Sequence, residues 1–354
     1  MIYSEVKYQP ERSRSYLGSP SLIRLPDGTL VASHDYFGEL RTPENECALS
    51  SIYRSEDNGV TWQNVTHLIG AFWGTLFLHR NFLYHISCSR EYGDIVIRRS
   101  TDGGFTWSLP RDEKNGLLFR GGKAHQNPNY HFGGATPVLF HNGRIWKGGE
   151  DLFIDGTPPE WHASRFQAFA LSASEDADLL DASSWTMSNK LFFAGTTVNE
   201  PGLLAPDSNW SNGYGWLEGN IVAAPDGKLH NLLRMHLAKP NKAAILNLSD
   251  DGKELTFCGK TGIIDFIGGA SKFTIRRDPV TGLYFTLTNF VTEAEYPTRR
   301  NILNLAVSED LRAWKNLGTI LFDDSGFEPR ESAAFTGFQY PDWQFDGDDI
   351  IYLV

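Results

Sequence analysis

His34 lies in Ala32-Ser33-His34-Asp35-Tyr36, beside a carboxylate and next to an aromatic ring. Such a neighbourhood tunes a proton donor or acceptor, because an imidazole changes charge near neutral pH and answers to adjacent charge and burial. His131 follows His125-Gln126-Asn127 and Tyr130 in a polar loop able to close over a ligand. Arg90 and Glu91 end the alternating run Ile86–Ser89 and read either as a ligand-binding pair or as a structural ion pair. Glu150 and Asp151 offer an acid or a base, but neighbours on a strand face opposite ways, so only one of them can enter a given pocket. Gln339, Asp342 and Trp343 gather before the last turn, where an exposed Trp can stack on the flat face of a ligand and Asp342 can bind its hydroxyls. Lys272 and Arg276 share a strand face and read as solvated charge. With ten histidines in the chain, packing or surface roles are the plain alternative for each.

Several chemistries are set aside by what is missing from the pattern. No Cys/His cluster has zinc spacing and no cofactor motif is present, so neither a metal nor a cofactor is expected. A net charge of −11 argues against a nucleic-acid or anionic-membrane partner at the level of the whole surface, while leaving room for a small basic pocket. No apolar run is long enough to span a bilayer, and no basic segment followed by an apolar one opens the chain, so a cytoplasmic location is the expectation, or a secreted one if a leader has been removed. Cys47, Cys88 and Cys258 are odd in number and far apart, which fits reduced thiols.

Positioning these residues requires elements, and the chain repeats its own. Ser55-Glu-Asp57-Asn-Gly59-Val-Thr61-Trp62 and Ser100-Thr-Asp102-Gly-Gly104-Phe-Thr106-Trp107 both spell S-x-D-x-G-x-T-W. Asp and Gly demand a tight turn, Ser and Thr bond its backbone, and the Trp plugs it from below. Weaker copies lie at Ser308-Glu-Asp310 with Trp314, at Ser249-Asp-Asp251-Gly252, and from Ser172 to Trp185. Six hairpin turns are spread along the chain, at Asp27-Gly28, Arg80-Asn81, Asn142-Gly143, Asp226-Gly227, Thr281-Gly282 and Gly347. With 34 Gly, 13% aromatic and 21% charged residues, composition suits many short strands.

The S-x-D-x-G-x-T-W repeat resembles the Asp box of the sialidase superfamily. Six hairpins then imply an all-β, six-bladed β-propeller of four-stranded antiparallel blades, built from residues 1–354 as a single domain. The last hairpin lies so near Val354 that its blade must be completed from elsewhere, either by the alternating segment Ile2–Tyr8 or by residues beyond the given sequence.

The resemblance also assigns roles. Sialidases clamp a substrate carboxylate with three arginines, attack with a Tyr assisted by a Glu, and carry an acidic residue in a loop of the first blade. Glu218 through Arg234 is similar to the family's Glu strand, hairpin and second arginine. Arg299 or Arg300, ahead of Ser308, matches the third arginine, with the register open between them. Glu44 or Glu46 stands for the acidic loop residue. Two positions depart from the pattern: Gly18 where the first arginine belongs, and Phe338 where the spacing places the nucleophile, with Tyr340 two residues later on the same strand face. Losing a guanidinium and the nucleophile removes the handle and the chemistry of neuraminic-acid cleavage. The expectation is therefore a non-sialidase member cleaving an anionic glycan such as a uronide, using Glu218 with another carboxylate or His34. A binding propeller without catalysis and a uronide lyase are the alternatives.

Overall fold

A computed structural model describes residues 3–39, 48–123, 126–156, 162–194, 202–203, 213–292 and 299–354. Antiparallel sheets follow one another along the chain. The first runs β1 (Ser15–Arg24), β2 (Leu30–Gly38), β3 (Leu49–Ser55), β4 (Gln63–Ile69), and the second repeats that order with β5 (Phe72–His79), β6 (Phe82–Cys88), β7 (Ile95–Ser100), β8 (Leu117–Phe119). After the short β9 (Tyr130–His131) come β10 (Leu139–His141), β11 (Arg144–Leu152), β12 (Phe166–Ser174) and β13 (Trp185–Met187), with β14 (Leu191–Phe192) beside β12. The fourth sheet holds β15 (Gly215–Ala223), β16 (Leu229–His236), β17 (Lys242–Leu248) and β18 (Leu255–Thr256), with β19 (Ile263–Asp265) also on β17. The fifth runs β20 (Thr274–Arg277), β21 (Tyr284–Asn289), β22 (Ile302–Ser308), β23 (Lys315–Phe322). A helix, α1 (Pro329–Phe335), precedes a separate hairpin of β24 (Asp342–Asp346) and β25 (Asp349–Leu353).

The fold is an all-β β-propeller, and it corrects the expectation of six four-stranded blades: among the described residues there are five, two of them with more than four strands. All six hairpins form, but the last stays two-stranded among the described residues. Residues 3–8 form no strand beside it, and Tyr3 and Tyr8 are exposed, so this segment does not complete a blade. Among the described residues of the long interval from Arg144 to Glu218, the additions are strand β14 and 3-10 turns, with no further blade.

Two compact units divide the chain: Met1–Ala135 with Ala173–Trp185 and Asp342–Leu353, and Thr136–Ser172 with Thr186–Pro341 and Val354. In the first, Leu25, Val31, Ile52, Leu76 and Leu83 make a core between the first two sheets. Leu22, Leu30, Ala32 and Tyr53 pack with Ile351 and Leu353 to seat the terminal hairpin. In the second unit, Trp146, Trp216, Leu233 and Leu246 join the third sheet to the fourth, and Leu232, Ile245, Phe273 and Tyr284 join the fourth to the fifth. Burial of such rows at roughly 25 cal/mol per Å² is the main term holding sheet to sheet.

The repeated turns have the chemistry their spelling implies. Asp57 Oδ1 accepts from Ser55 Oγ at 2.7 Å and Thr61 N at 2.8 Å, while Trp62 Nε1 donates to Gly59 O at 3.1 Å. The second copy repeats these bonds, with Trp107 Nε1 on Gly104 O at 2.9 Å. Trp62, Trp107 and Trp314 are half-buried under their turns.

Polar ties recur from sheet to sheet. The first strand of three sheets is broken by a bulge, between Gly18 and Ser21, Phe72 and Thr75, and Leu217 and Asn220. Each bulge holds a non-glycine residue in the left-handed region: Ser19 (φ 51), Trp73 (φ 56), Glu218 (φ 61). From the end of each second strand a side chain reaches the next segment: Asp35 accepts from Trp73 N at 2.7 Å, Cys88 Sγ donates to Tyr130 O at 3.4 Å, and Glu150 accepts from Gly219 N at 3.0 Å. Arg234 Nε donates to Ala270 O at 2.8 Å and Asn289 Nδ2 to Phe338 O at 2.7 Å.

Candidate functional site

Glu218 sits in the bulge of β15 and is 1% exposed. Its left-handed backbone throws the side chain out of the strand's alternation, and Gly219 allows this because a Cβ there would lie 2.2 Å from Asn231 Oδ1. Both carboxylate oxygens are used: Oε2 accepts from Arg234 Nη1 at 2.9 Å and Oε1 from Tyr340 Oη at 2.7 Å.

Arg234, on β16, has each of its three nitrogens engaged within the chain: Nε on Ala270 O, Nη1 on Glu218, and Nη2 at 2.8 Å from His236 Nε2. Burial works against its charge, but the Glu218 carboxylate outweighs that and raises its pKa. His236 shares the strand face of Arg234. Burial, with the charges of Arg234 and Arg300, pushes its pKa well below the ordinary value, so the ring is neutral. With Nε2 accepting from Arg234, the ring proton is assigned to Nδ1.

Tyr340 is half-buried with φ 59, another left-handed residue two positions before a tie, since Asp342 accepts from Leu22 N at 2.8 Å. Burial and the Glu218 carboxylate push its phenol up to about 12, against the pull of Arg234 and Arg300. The guanidinium of Arg300 lies over the Tyr340 ring, 5.3 Å from its centre, and Nη1 donates to Gln339 Oε1. Arg299 points elsewhere: it is buried, with Nε on Asn301 Oδ1 at 2.7 Å. Between the two arginines, Arg300 is therefore the one at Tyr340. Phe338, which the sequence spacing puts at the nucleophile's place, instead anchors the segment, its N donating to Arg300 O at 2.8 Å.

Most of the other candidates lie in the first unit or outside the described residues. His34 is buried, stacked on Tyr53 at 5.3 Å and edge-on to Tyr36 at 5.0 Å. Its Nδ1 contacts Asp35 O at 3.3 Å, its Nε2 has no partner among the described residues, and burial lowers its pKa to about 4. Asp35 faces the other way, bonded to Ser50 Oγ and Trp73 N, and burial raises it to about 7. His131 is buried against Trp73, with ring centres 4.3 Å apart, and Tyr92. Arg90 donates to the carbonyls of Glu91 and Gly122. Two expectations are corrected by packing. Trp343 is 0% exposed and presents no sugar platform, and Asp342 is spent on Leu22 N and Ser21 Oγ. A third correction is Lys272, read as solvated but 1% exposed. Glu44, Glu46 and His125 lie outside the described residues. At Gly18 a Cβ would meet Phe37 Cε2 at 2.7 Å, so ring packing takes the place where a clamp arginine would start. His236 was legible only through its alternation with Arg234; Asn289 carried no signal.

At the level of sequence, no family model and no curated protein matches this chain. Solved structures do share its fold. A Trypanosoma rangeli sialidase in complex with difluorosialic acid superposes with a TM-score of 0.57 at 15% identity over 95% of this chain, which spans 51% of that one. An α-L-arabinofuranosidase of Fusarium graminearum with arabinobiose gives 0.52 at 12% identity, covering 85% of this chain and 80% of its own. A Penicillium chrysogenum α-L-arabinanase with arabinobiose gives 0.50 at 14%, covering 86% and 80%. The chain thus has the sialidase-like propeller fold.

Proposed function

We propose that the chain is a glycoside hydrolase whose reactive centre is Tyr340 on Glu218. The carrying observation is the 2.7 Å bond from Tyr340 Oη to Glu218 Oε1, with the other carboxylate oxygen fixed by Arg234. A phenol pushed up to about 12 keeps its proton at neutral pH and needs a base at the moment of attack, which Glu218 is placed to be. In this reading Tyr340 Oη bonds to the anomeric carbon, Glu218 takes the phenolic proton, and the bond to the departing glycan oxygen breaks. An acid protonates that oxygen. Water then releases the sugar from Tyr340, as the resemblance to sialidases implies for a Tyr nucleophile. Glu44, or Glu46, is the proposed acid. His34 suits that role poorly, since a ring with pKa about 4 is neutral at pH 7 and would have to leave as an anion.

We assign the substrate as an anionic glycan, with Arg300 as the principal contact for its carboxylate and Gln339 beside it. Gly18 supplies no donor for a third clamp, so simple sialosides are expected to resist cleavage. A neutral sugar is the second reading, favoured by the engagement of all three Arg234 nitrogens. The arabinobiose bound by two of the structural neighbours is a sugar of that kind.

Incubation with uronide, sialyl and arabino-oligosaccharides, with product detection that includes ultraviolet absorbance, separates these outcomes. Hydrolysis of a uronide is the expected result, and an unsaturated product would select a lyase. A 2-fluoro glycosyl fluoride of the sugar so identified should leave a covalent adduct that mass spectrometry places on Tyr340. Binding without turnover across the whole set would overturn the enzyme reading in favour of a carbohydrate-binding propeller.

A further inference from the structure

Glu218 and Tyr340 occupy matching places. Each precedes by two residues a side chain that ties down adjoining backbone: Asn220 Oδ1 accepts from Ile275 N at 3.1 Å, and Asp342 Oδ2 from Leu22 N at 2.8 Å. Leu22 is the residue after Ser21, itself such a tie, because Ser21 Oγ accepts from Leu76 N at 3.0 Å. Ile275 is the residue after Thr274 by the same register. Lys272-Phe273-Thr274 is therefore the fifth sheet's version of Glu218-Gly219-Asn220, and Lys272 is the counterpart of Glu218 and Tyr340.

An ammonium that is 1% exposed is costly to bury unless its donors are satisfied in fixed geometry. Lys272 Nζ donates to Thr274 Oγ1 at 2.7 Å and to Pro341 O at 2.7 Å, and Thr274 Oγ1 donates to that same carbonyl at 2.7 Å. The carbonyl so held belongs to the residue after Tyr340. On the other flank, Phe338 O accepts from Asn289 Nδ2 at 2.7 Å, and Phe338 N donates to Arg300 O at 2.8 Å. Tyr340, between these anchors, has a φ of 59. A left-handed non-glycine backbone persists only where its surroundings over-determine it.

We propose that Lys272 is a positioning residue for Tyr340: by fixing the Pro341 carbonyl it holds the phenol on Glu218. Its catalytic meaning rests on the hydrolase reading, whereas its geometric meaning does not. Lys272→Met keeps the length of the side chain and removes the ammonium with its bonds to Thr274 Oγ1 and Pro341 O. Its crystal structure should show Tyr340 Oη displaced from Glu218 with the Glu218–Arg234 pair intact. A misplacement of about 1 Å at a reacting atom costs about a hundredfold, so kcat should fall by that order while KM changes little. A merely structural lysine would instead lower stability and turnover with the Tyr340–Glu218 bond unmoved.

An unmoved Tyr340–Glu218 bond in Lys272→Met overturns the proposal. If that variant does not fold, Thr274→Val, which keeps Lys272 and its bond to Pro341 O, should leave the phenol on Glu218, and a phenol displaced there gives the anchoring to Thr274 and overturns the proposal. Tyr340→Phe separates this inference from the reading beneath it. Activity retained in Tyr340→Phe sinks the hydrolase mechanism, and the Lys272→Met crystal structure then decides the geometry alone. Activity lost in Tyr340→Phe but full in Lys272→Met sinks only the role of Lys272.

Discussion

Tyr340 and Glu218 differ in what their removal leaves behind. Tyr340→Phe takes away one hydroxyl and leaves the Glu218–Arg234 pair, a loss of about 1–2 kcal/mol for a buried hydrogen bond. Glu218→Gln removes the charge opposite a buried guanidinium, and breaking such a pair from one side costs about 3–5 kcal/mol. Both variants should lose at least about a hundredfold in kcat on the identified glycan, the scale of positioned acid–base work. Only Glu218→Gln should also lower the melting temperature markedly. Steady-state kinetics beside calorimetry checks this, and unchanged turnover in either variant would remove that residue from the mechanism.

At the scale of elements, the bulge and the turn are the sensitive places. Gly219 is packed against Asn231, so Gly219→Ala forces a backbone shift of the kind that costs about 1–3 kcal/mol and carries Glu218 with it. Activity should fall further than stability alone explains, which a fixed-temperature assay well below the melting point reveals. The turn at Asp102 lies outside the reactive cluster. Asp102→Ala loses the bonds from Thr106 N, Thr106 Oγ1 and Phe105 N and should cost about 1–2 kcal/mol with kcat intact. Loss of activity in the folded variant would contradict a purely structural turn.

At the scale of the whole molecule, pH reads the buried ionisable groups. The folded pKa of His34 is about 4 and that of His85 about 3, and His236 is also lowered, so below pH 6.5 the unfolded chain binds more protons than the folded one. Their effect is a stability lost as pH falls from 6.5 towards 4. Asp35 acts oppositely: its folded pKa of about 7 exceeds the ordinary 3.8, so its contribution is present at low pH and lost as pH rises from 3.8 to 7. With His230 also lowered by burial, four histidines against one carboxyl predict a net drop in melting temperature on acidification from 6.5 to 4. His34→Gln should flatten that slope and Asp35→Asn should steepen it, as thermal melts at the two pH values would show. A melting temperature that rises on acidification would contradict the burial of these rings.

Local chemistry was legible in the amino-acid order. The S-x-D-x-G-x-T-W turns and the six hairpins are set by residues within a few positions of one another, so Asp57, Gly59 and Trp62 announce their bonds without knowledge of the rest of the chain. The resemblance to sialidases placed Glu218 and Arg234 as candidates, and strand alternation added Tyr340. What alternation misjudged were the bulges, because one left-handed residue resets which way every following side chain points. That reset lets Tyr340, rather than Phe338, meet Glu218, whereas Lys272 was misjudged because the Pro341 carbonyl that receives it lies far along the chain. Blade number escaped for a related reason: a hairpin turn is local, whereas the outer strands that make it a blade are recruited over long stretches of chain. Asp342 read as ligand-facing because nothing near it in sequence shows that Leu22 and Ser21, more than three hundred residues earlier, come to bond it, and Trp343 beside it is buried. Sequence therefore determined the turns and the inventory of reactive groups, and only tertiary packing, through bulges and sheet-to-sheet ties, decided which of those groups meet.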